Sequence, residues 1–368
     1  MNRTEQDILY LAGCAMHQIK PDVEGMDFDK IAKVSMQHTL SSMICMALES
    51  AGVKIDILID QKNKAIRKNM MLDNERHRIF SKLDEAGIWH MPLKGILLKD
   101  MYPSYGMRQM ADNDILFDSQ FRNDVRDIFL SLGYEIEEYG NGNHDVYLRK
   151  PIFNYEMHVS LFSKVFPDFL KYYTELEKQY ICDGYERCMN VNDAYVYLVA
   201  HAYKHFTLGG TGIRTLMDLY IYNKHCKNEM NKDYIFEQCK ILGIQEYEEE
   251  ARKIAYKLFD NPTRDFSFLS QEEDDYVKYY FTSGTYGTSK QRIQNEIHKI
   301  EINGSNHAKA KYLIRRIFPE ISWFRQNIPF LDKYPVFIPF YALIRPFIKG
   351  VTSRKKWINE VKAVRESK

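Results

Sequence analysis

The spacing of apolar positions makes the start of the chain helical. Ile8, Leu11 and Ala15 recur at helical intervals in a first segment, and Ile31, Val34, Thr39, Met43, Met46 and Leu48 continue the pattern to a stop at Gly52. A long third helix is predicted from about Asp56 to Ala86, with Leu72, Ile79 and Leu83 as its apolar positions. The period then changes. Residues 88–93 (IWHMPL) form a short apolar run suited to a buried strand, and Lys94-Gly95 interrupts it before ILLKDMY resumes helical spacing. After a turn at 103–106 come Arg108 and then Asp112-Asn113-Asp114, which enters the apolar run 115–117. Ser119 is the expected N-cap of a helix carrying Phe121, Val125, Ile128, Phe129 and Leu132 and ending before Gly133. Strands are predicted at 134–139, 145–148 and 153–161. In the last of these, alternation puts Glu156 and His158 on one face and Tyr155, Met157 and Val159 on the other. From about residue 192 the spacing is helical again.

The pattern describes an α+β protein with three regions: a helical region at 1–87, a small mixed sheet with helices at 88–165, and a helical region at 166–368 forming the other wall of a cleft. At 368 residues and 45% apolar content the chain can build substantial cores. Its net charge of +1 supplies no overall field for a polyanion, so such a site must come from local clustering. The six cysteines contain no C-x-x-C pair, which points to a reducing, cytoplasmic setting. The apolar run at 336–344 is interrupted by Pro339 and is well short of the roughly 20 residues a spanning helix needs. Bulky apolar residues there, followed by Arg354, Lys355, Lys356, Lys362 and Arg365, have two readings: packing on the body, or peripheral contact with a membrane or partner.

The candidate chemistry lies between residues 91 and 158. Backbone N–H groups at a strand–glycine turn attract phosphate oxygens, and Lys94 adds a full positive charge beside Gly95. Asp112 and Asp114, two apart, face the same side of a strand, a spacing that lets two carboxylates share divalent cations. Glu156 is the candidate third carboxylate. The basic run Lys62, Lys64, Arg67 and Lys68 reads first as a solvated face and second as a phosphate contact. His201 and His205 share a helix face at i, i+4, and Arg214 and Asp218 do the same on the next helix, where an ion pair between them is expected. Metal ligation by the histidines lacks the H-E-x-x-H signature, so packing or substrate contact is the expectation.

At these residues the chain resembles the nucleotidyltransferases of the DNA polymerase β-like superfamily, whose signature is a glycine turn after the first strand and D-x-D on the second. The match is to a bacterial branch with LKG, R-x-x-x-D-x-D and E-x-H. Leu93-Lys94-Gly95 replaces the usual Gly-Gly or Gly-Ser, and the gap to Asp112 is longer than in the simplest members. Gly212-Ile213-Arg214 before Asp218 and the 283–287 segment SGTYG extend the resemblance over most of the chain. It implies attack by an acceptor on the α-phosphate of an NTP, such as ATP, with release of pyrophosphate. Asp112, Asp114 and Glu156 would be both catalytic residues and ligands of two Mg²⁺ ions, with Mn²⁺ as the alternative. Lys94, Gly95 and Arg108 would hold the phosphates, with His158, His201, His205, Arg214 and Asp218 completing the nucleotide site. The acceptor, whether small molecule, glycan, protein or RNA, is left open. Two other readings stand beside this one: a toxin-like enzyme acting on tRNA or protein, and a non-catalytic nucleotide-binding protein.

Overall fold

The computed structural model describes residues 1–284, 293–294, 297, 307–317 and 328–352. The chain forms two compact units, Met1–Tyr203 with Ile213–Phe281, and Lys204–Gly212 with Thr282–Lys368. The 285–289 part of the glycine loop and the basic tail lie outside the described residues.

Four helices open the first unit: α1 (Arg3–His17), α2 (Phe28–Gln37), α3 (Ser41–Ser50) and α4 (Asp56–Glu85). The single helical run expected up to Gly52 is therefore two helices, and the long helix is the fourth rather than the third. Thr39, at φ 54°, turns the chain between α2 and α3. No periodicity of apolar residues marks that break, because Ile31 and Met43 keep facing the same core on either side of it.

A seven-stranded mixed sheet follows, in the order β3-β4-β5-β2-β1-β7-β6. Its strands are β1 (His90–Pro92), β2 (Asn113–Phe117), β3 (Glu135–Glu138), β4 (His144–Arg149), β5 (Phe153–His158), β6 (Ile181–Asp183) and β7 (Glu186–Cys188). The β6–β7 hairpin extends the sheet past residue 165, with β7 running parallel to β1. Between β1 and β2 lie a one-turn helix α5 (Gly95–Leu98) and a 3-10 turn (Lys99–Met101). Asp118, not Ser119, caps the next turn, accepting from the Gln120 N–H, and α6 (Arg122–Ser131) starts two residues later than the pattern suggested.

One face of this sheet is the hydrophobic core. Ile79 and Leu83 of α4 and Val125 and Phe129 of α6 pack on Ile115, Phe117, Tyr147, Tyr155 and Met157, all at 0–1% exposure. Phe129 stacks on Tyr147 with ring centroids 4.3 Å apart. Burying side chains of this size contributes about 1.5–3 kcal/mol each. The strand residues between them, Asp114, Glu156 and His158, therefore point to the opposite face.

Further helices are α7 (Pro167–Leu176), α8 (Val191–Leu208), α9 (Arg214–His225), α10 (Lys232–Ile241), α11 (Gln245–Phe259) and α12 (Gln271–Ser283). Within the first unit, α9 packs on α11, and α1 packs on α3 and α11. In the second unit, Arg345 on the helix Ile338–Thr352 donates to the carbonyl of Arg316, while Phe340, Leu343 and Ile344 are exposed. Among the described residues no helix is long and apolar enough to cross a membrane.

Candidate active site

Lys94 sits where β1 ends and α5 begins, and it holds a backbone conformation that side chains avoid, with φ 46°. Such strain in a non-glycine residue costs on the order of 1–3 kcal/mol and persists only where surrounding structure imposes it. Here the Leu93 N–H donates to the Asp114 carbonyl, and the Lys94 carbonyl accepts from Leu97 and Leu98. The turn aims the ammonium back over the sheet, where Nζ lies 2.7 Å from Asp114 Oδ1. Gly95 has a packing role at this turn. A Cβ on it would fall 2.8 Å from Arg108 Nη1 and 3.0 Å from Met110 Sδ, so the glycine lets these side chains pack against the turn. With only four residues, α5 has too little macrodipole to anchor an anion by itself.

The acids meet because β2 and β5 run parallel with Asp114 opposite Glu156 and Leu116 opposite His158. Asp114, Glu156 and His158 each offer a ligand atom, all within 4.8 Å of one another, and this is the metal-competent group among the described residues. His158 Nε2 is 2.9 Å from Asp114 Oδ1 and 3.7 Å from Glu156 Oε2. Asp112 precedes the strand on the same side and lies outside this compact group, acting on it by charge.

The electrostatics separate the three carboxyls. Burial opposes the charge on Asp114, but the Lys94 ammonium and the His158 hydrogen bond overcome it and hold the carboxyl well below its ordinary range. Burial and then the Asp114 charge raise Asp112, against the pull of Lys94, Arg214 and Lys68. Burial, followed by the charges of Asp114 and Asp112, pushes Glu156 up to about 7. Burial lowers His158 to about 4, so its ring is neutral near pH 7. A neutral ring beside a carboxylate is assigned as the Nε2–H tautomer donating to Asp114, which leaves Nδ1 as a buried lone pair without a hydrogen-bond partner.

Arg108 is committed elsewhere. Its guanidinium makes a bidentate pair with Asp218, Nε–Oδ1 2.8 Å and Nη2–Oδ2 2.9 Å, and Tyr102 Oη donates to the same carboxylate at 2.7 Å. Direct phosphate binding by Arg108 does not fit a fork already closed on a buried carboxylate. Asp218 therefore orients Arg108 from 110 residues away, where sequence spacing had assigned it to Arg214. Arg214 Nη1 instead reaches Thr39 Oγ1 and the Gln109 carbonyl, both at 3.0 Å. Together with Asn69 on the Arg108 carbonyl and Lys68 on the Ala111 carbonyl, these side chains pin the loop that delivers Asp112.

Lys68 and Tyr197 are the residues that sequence reasoning missed. Lys68 belonged to a run read first as a solvated face, yet it is partly buried and its charge acts on Asp112. The i, i+4 spacing from Lys64 gave no hint, since Lys64 pairs with Asp60 in solvent. Tyr197 on α8 is 4% exposed, its hydroxyl has no hydrogen-bond partner, and its surroundings include Lys94, Asp114 and Glu156. Tyr197 and Lys94 also line a small, mostly apolar pocket together with Met91, Leu93 and Tyr222. One turn on, the His201 ring lies 6.1 Å from that of Tyr197, whereas His205 belongs to the second unit.

Searches of curated proteins and of solved structures return no match. A family profile described as uncharacterised nucleotidyltransferase matches residues 24–260, a span that holds every side chain of the acid cluster and of the loop supporting it. The chain belongs to this nucleotidyltransferase family.

Proposed function

We propose that the protein is a metal-dependent nucleotidyltransferase with a polymerase β-like core, which moves an NMP from an NTP to an acceptor and releases pyrophosphate. The observation that carries this reading is the parallel register of β2 and β5, which sets Glu156 beside Asp114 with Asp112 close by and Lys94 above them. Two acids side by side on one sheet face, with a third just before the strand and a lysine on a strained turn beside them, serve no packing purpose and repel one another.

The donor set, two carboxylates and an imidazole, fits a divalent ion, which when bound would polarise the α-phosphate and lower the barrier to in-line displacement. The residues themselves do the rest. An acceptor oxygen attacks the α-phosphorus as the bond to the bridging oxygen of pyrophosphate breaks, and Glu156 takes the acceptor's proton. Lys94 exchanges Asp114 for the triphosphate, and Lys68 and Arg214 add positive charge on the Asp112 side. Arg108 and Asp218 act as positioning residues that hold the Asp112 loop.

Each α-labelled NTP, incubated with Mg²⁺ or Mn²⁺ and a metabolite or lysate mixture, tests the proposal. Label should pass to an acceptor with wild-type protein and not with Asp114→Asn. Label released only as free nucleotide, or transfer that survives Asp114→Asn, would overturn it.

A further inference from the structure

We propose that Asp114, Glu156 and His158 form a mixed carboxylate–imidazole metal site that favours a first-row transition ion, Mn²⁺ foremost, over Mg²⁺. This rests on the metal-dependent reading above and goes further by naming the third ligand and the ion class.

The argument starts from register. In β5, Glu156 and His158 stand two residues apart on one face, and the parallel pairing sets Glu156 directly beside Asp114. The imidazole is therefore delivered to the acids by the strand itself, not by a mobile loop. Nε2 lies 2.9 Å from one carboxylate oxygen and 3.7 Å from the other, so one ion taking the place of the Nε2 proton, which passes to Nδ1, can reach all three groups. Asp112, expected to complete an all-oxygen pair with Asp114, lies outside this group. The compact triad is thus two oxygens and one nitrogen.

That composition matters because Mg²⁺ demands near-ideal octahedral oxygen coordination and is reluctant to accept nitrogen. Imidazole suits transition ions, while carboxylates and the phosphate oxygens of a nucleotide suit Mn²⁺ best among them. One further feature marks the triad as built for a ligand. Tyr197 carries a buried hydroxyl without a hydrogen-bond partner in surroundings that include Lys94, Asp114 and Glu156. The Lys94 ammonium, 2.7 Å from Asp114 Oδ1, would stand beside a bound ion, where it could meet a phosphate.

The test uses the full chain stripped of metal. Mn²⁺ is titrated with the free ion followed by electron paramagnetic resonance, Mg²⁺ is added as competitor, and the bound ion is examined by electron spin echo envelope modulation with isotope-labelled histidine. The expected result is a histidine nitrogen coupled to bound Mn²⁺ and a preference for Mn²⁺ over Mg²⁺ on the order of tenfold or more. In His158→Gln the nitrogen coupling should vanish and Mn²⁺ affinity fall by roughly 10- to 100-fold, with Mg²⁺ affinity nearly unchanged. If that variant does not fold, the labelled wild-type spectrum decides alone. Bound Mn²⁺ without histidine coupling, equal affinity for the two ions, or no Mn²⁺ binding would each overturn the proposal. NMP transfer with Mg²⁺ and no histidine coupling would defeat this inference while leaving nucleotidyl transfer intact; coupling without any transfer would do the reverse.

Discussion

Two buried aspartates on one sheet show how differently the same side chain can be used. Asp145 of β4 sits on the core-side face at 0% exposure, opposite Met157 of β5. Arg122 grips it with Nη2–Oδ1 at 2.6 Å and Nε–Oδ2 at 2.8 Å, and the Gly140 N–H donates to Oδ1 at 2.8 Å. Both oxygens are engaged by direct hydrogen bonds. Asp114, on the other face, shares a single oxygen between Lys94 and His158 while Asp112 and Glu156 press further negative charge on it. A closed bidentate pair is a structural device; a carboxylate surrounded by like charge and unpartnered polar atoms is poised for a cation.

Substitutions should separate the two faces. Asp114→Asn should lower nucleotidyl transfer by roughly 10²- to 10⁴-fold, as removal of a group acting at the reacting phosphate does. Its melting temperature should fall by less than that of Asp145→Asn, because loss of the Lys94 and His158 contacts is partly offset by relieved repulsion with Asp112 and Glu156. Asp145→Asn should do the opposite. It strands Arg122 and costs about 3 kcal/mol, the partial exposure of Arg122 keeping the loss at the low end for a broken buried pair. Denaturant unfolding and transfer rate per folded molecule check both variants. Equal transfer losses in the two would erase the distinction.

Smaller effects sharpen it. Arg108→Lys keeps the charge but loses the fork on Asp218, so the Asp112 loop loosens and transfer should drop about tenfold by misplacement, with metal affinity unchanged. Smallest is a pH effect on stability. The folded value for Glu156, about 7, lies above its ordinary 4.5, so its contribution is present below about 4.5 and is lost as pH rises through 7. Metal-free wild type should therefore lose melting temperature relative to Glu156→Gln over that window. Added Mn²⁺ should stabilise wild type more at the alkaline end, since binding displaces the proton. A flat difference between the two proteins across the window would assign the titration elsewhere.

Much of this site was legible locally. Alternation alone placed Glu156 and His158 on one face, and a broken apolar run located the turn at Lys94-Gly95. What the pattern could not show was long-range. Whether β5 pairs beside β2, and in which direction, depends on how the β3–β4 meander closes on the sheet, and that register brings His158 to Asp114 and Glu156. The Arg108–Asp218 pair is invisible for the same reason, since helical spacing offered Arg214 as a nearer partner. Lys68 looked like its solvated neighbours because a helix pattern cannot tell which lysine meets the loop carrying Asp112. Tyr197 was hidden among apolar residues of α8, where an aromatic reads as core until its hydroxyl is seen to lack a partner.

The most direct test of the central claim, that the Asp114 face binds nucleotide through a metal, is calorimetric titration with an NTP analogue that cannot be cleaved at the α-phosphate. It is run with Mn²⁺ and with chelator, on wild type and Asp114→Asn, with Asp145→Asn as the fold control. The account predicts that chelator and Asp114→Asn each weaken wild-type affinity by on the order of tenfold or more, while Asp145→Asn, at a temperature where it is folded, binds like wild type. Affinity that is indifferent to both chelator and Asp114→Asn would contradict it.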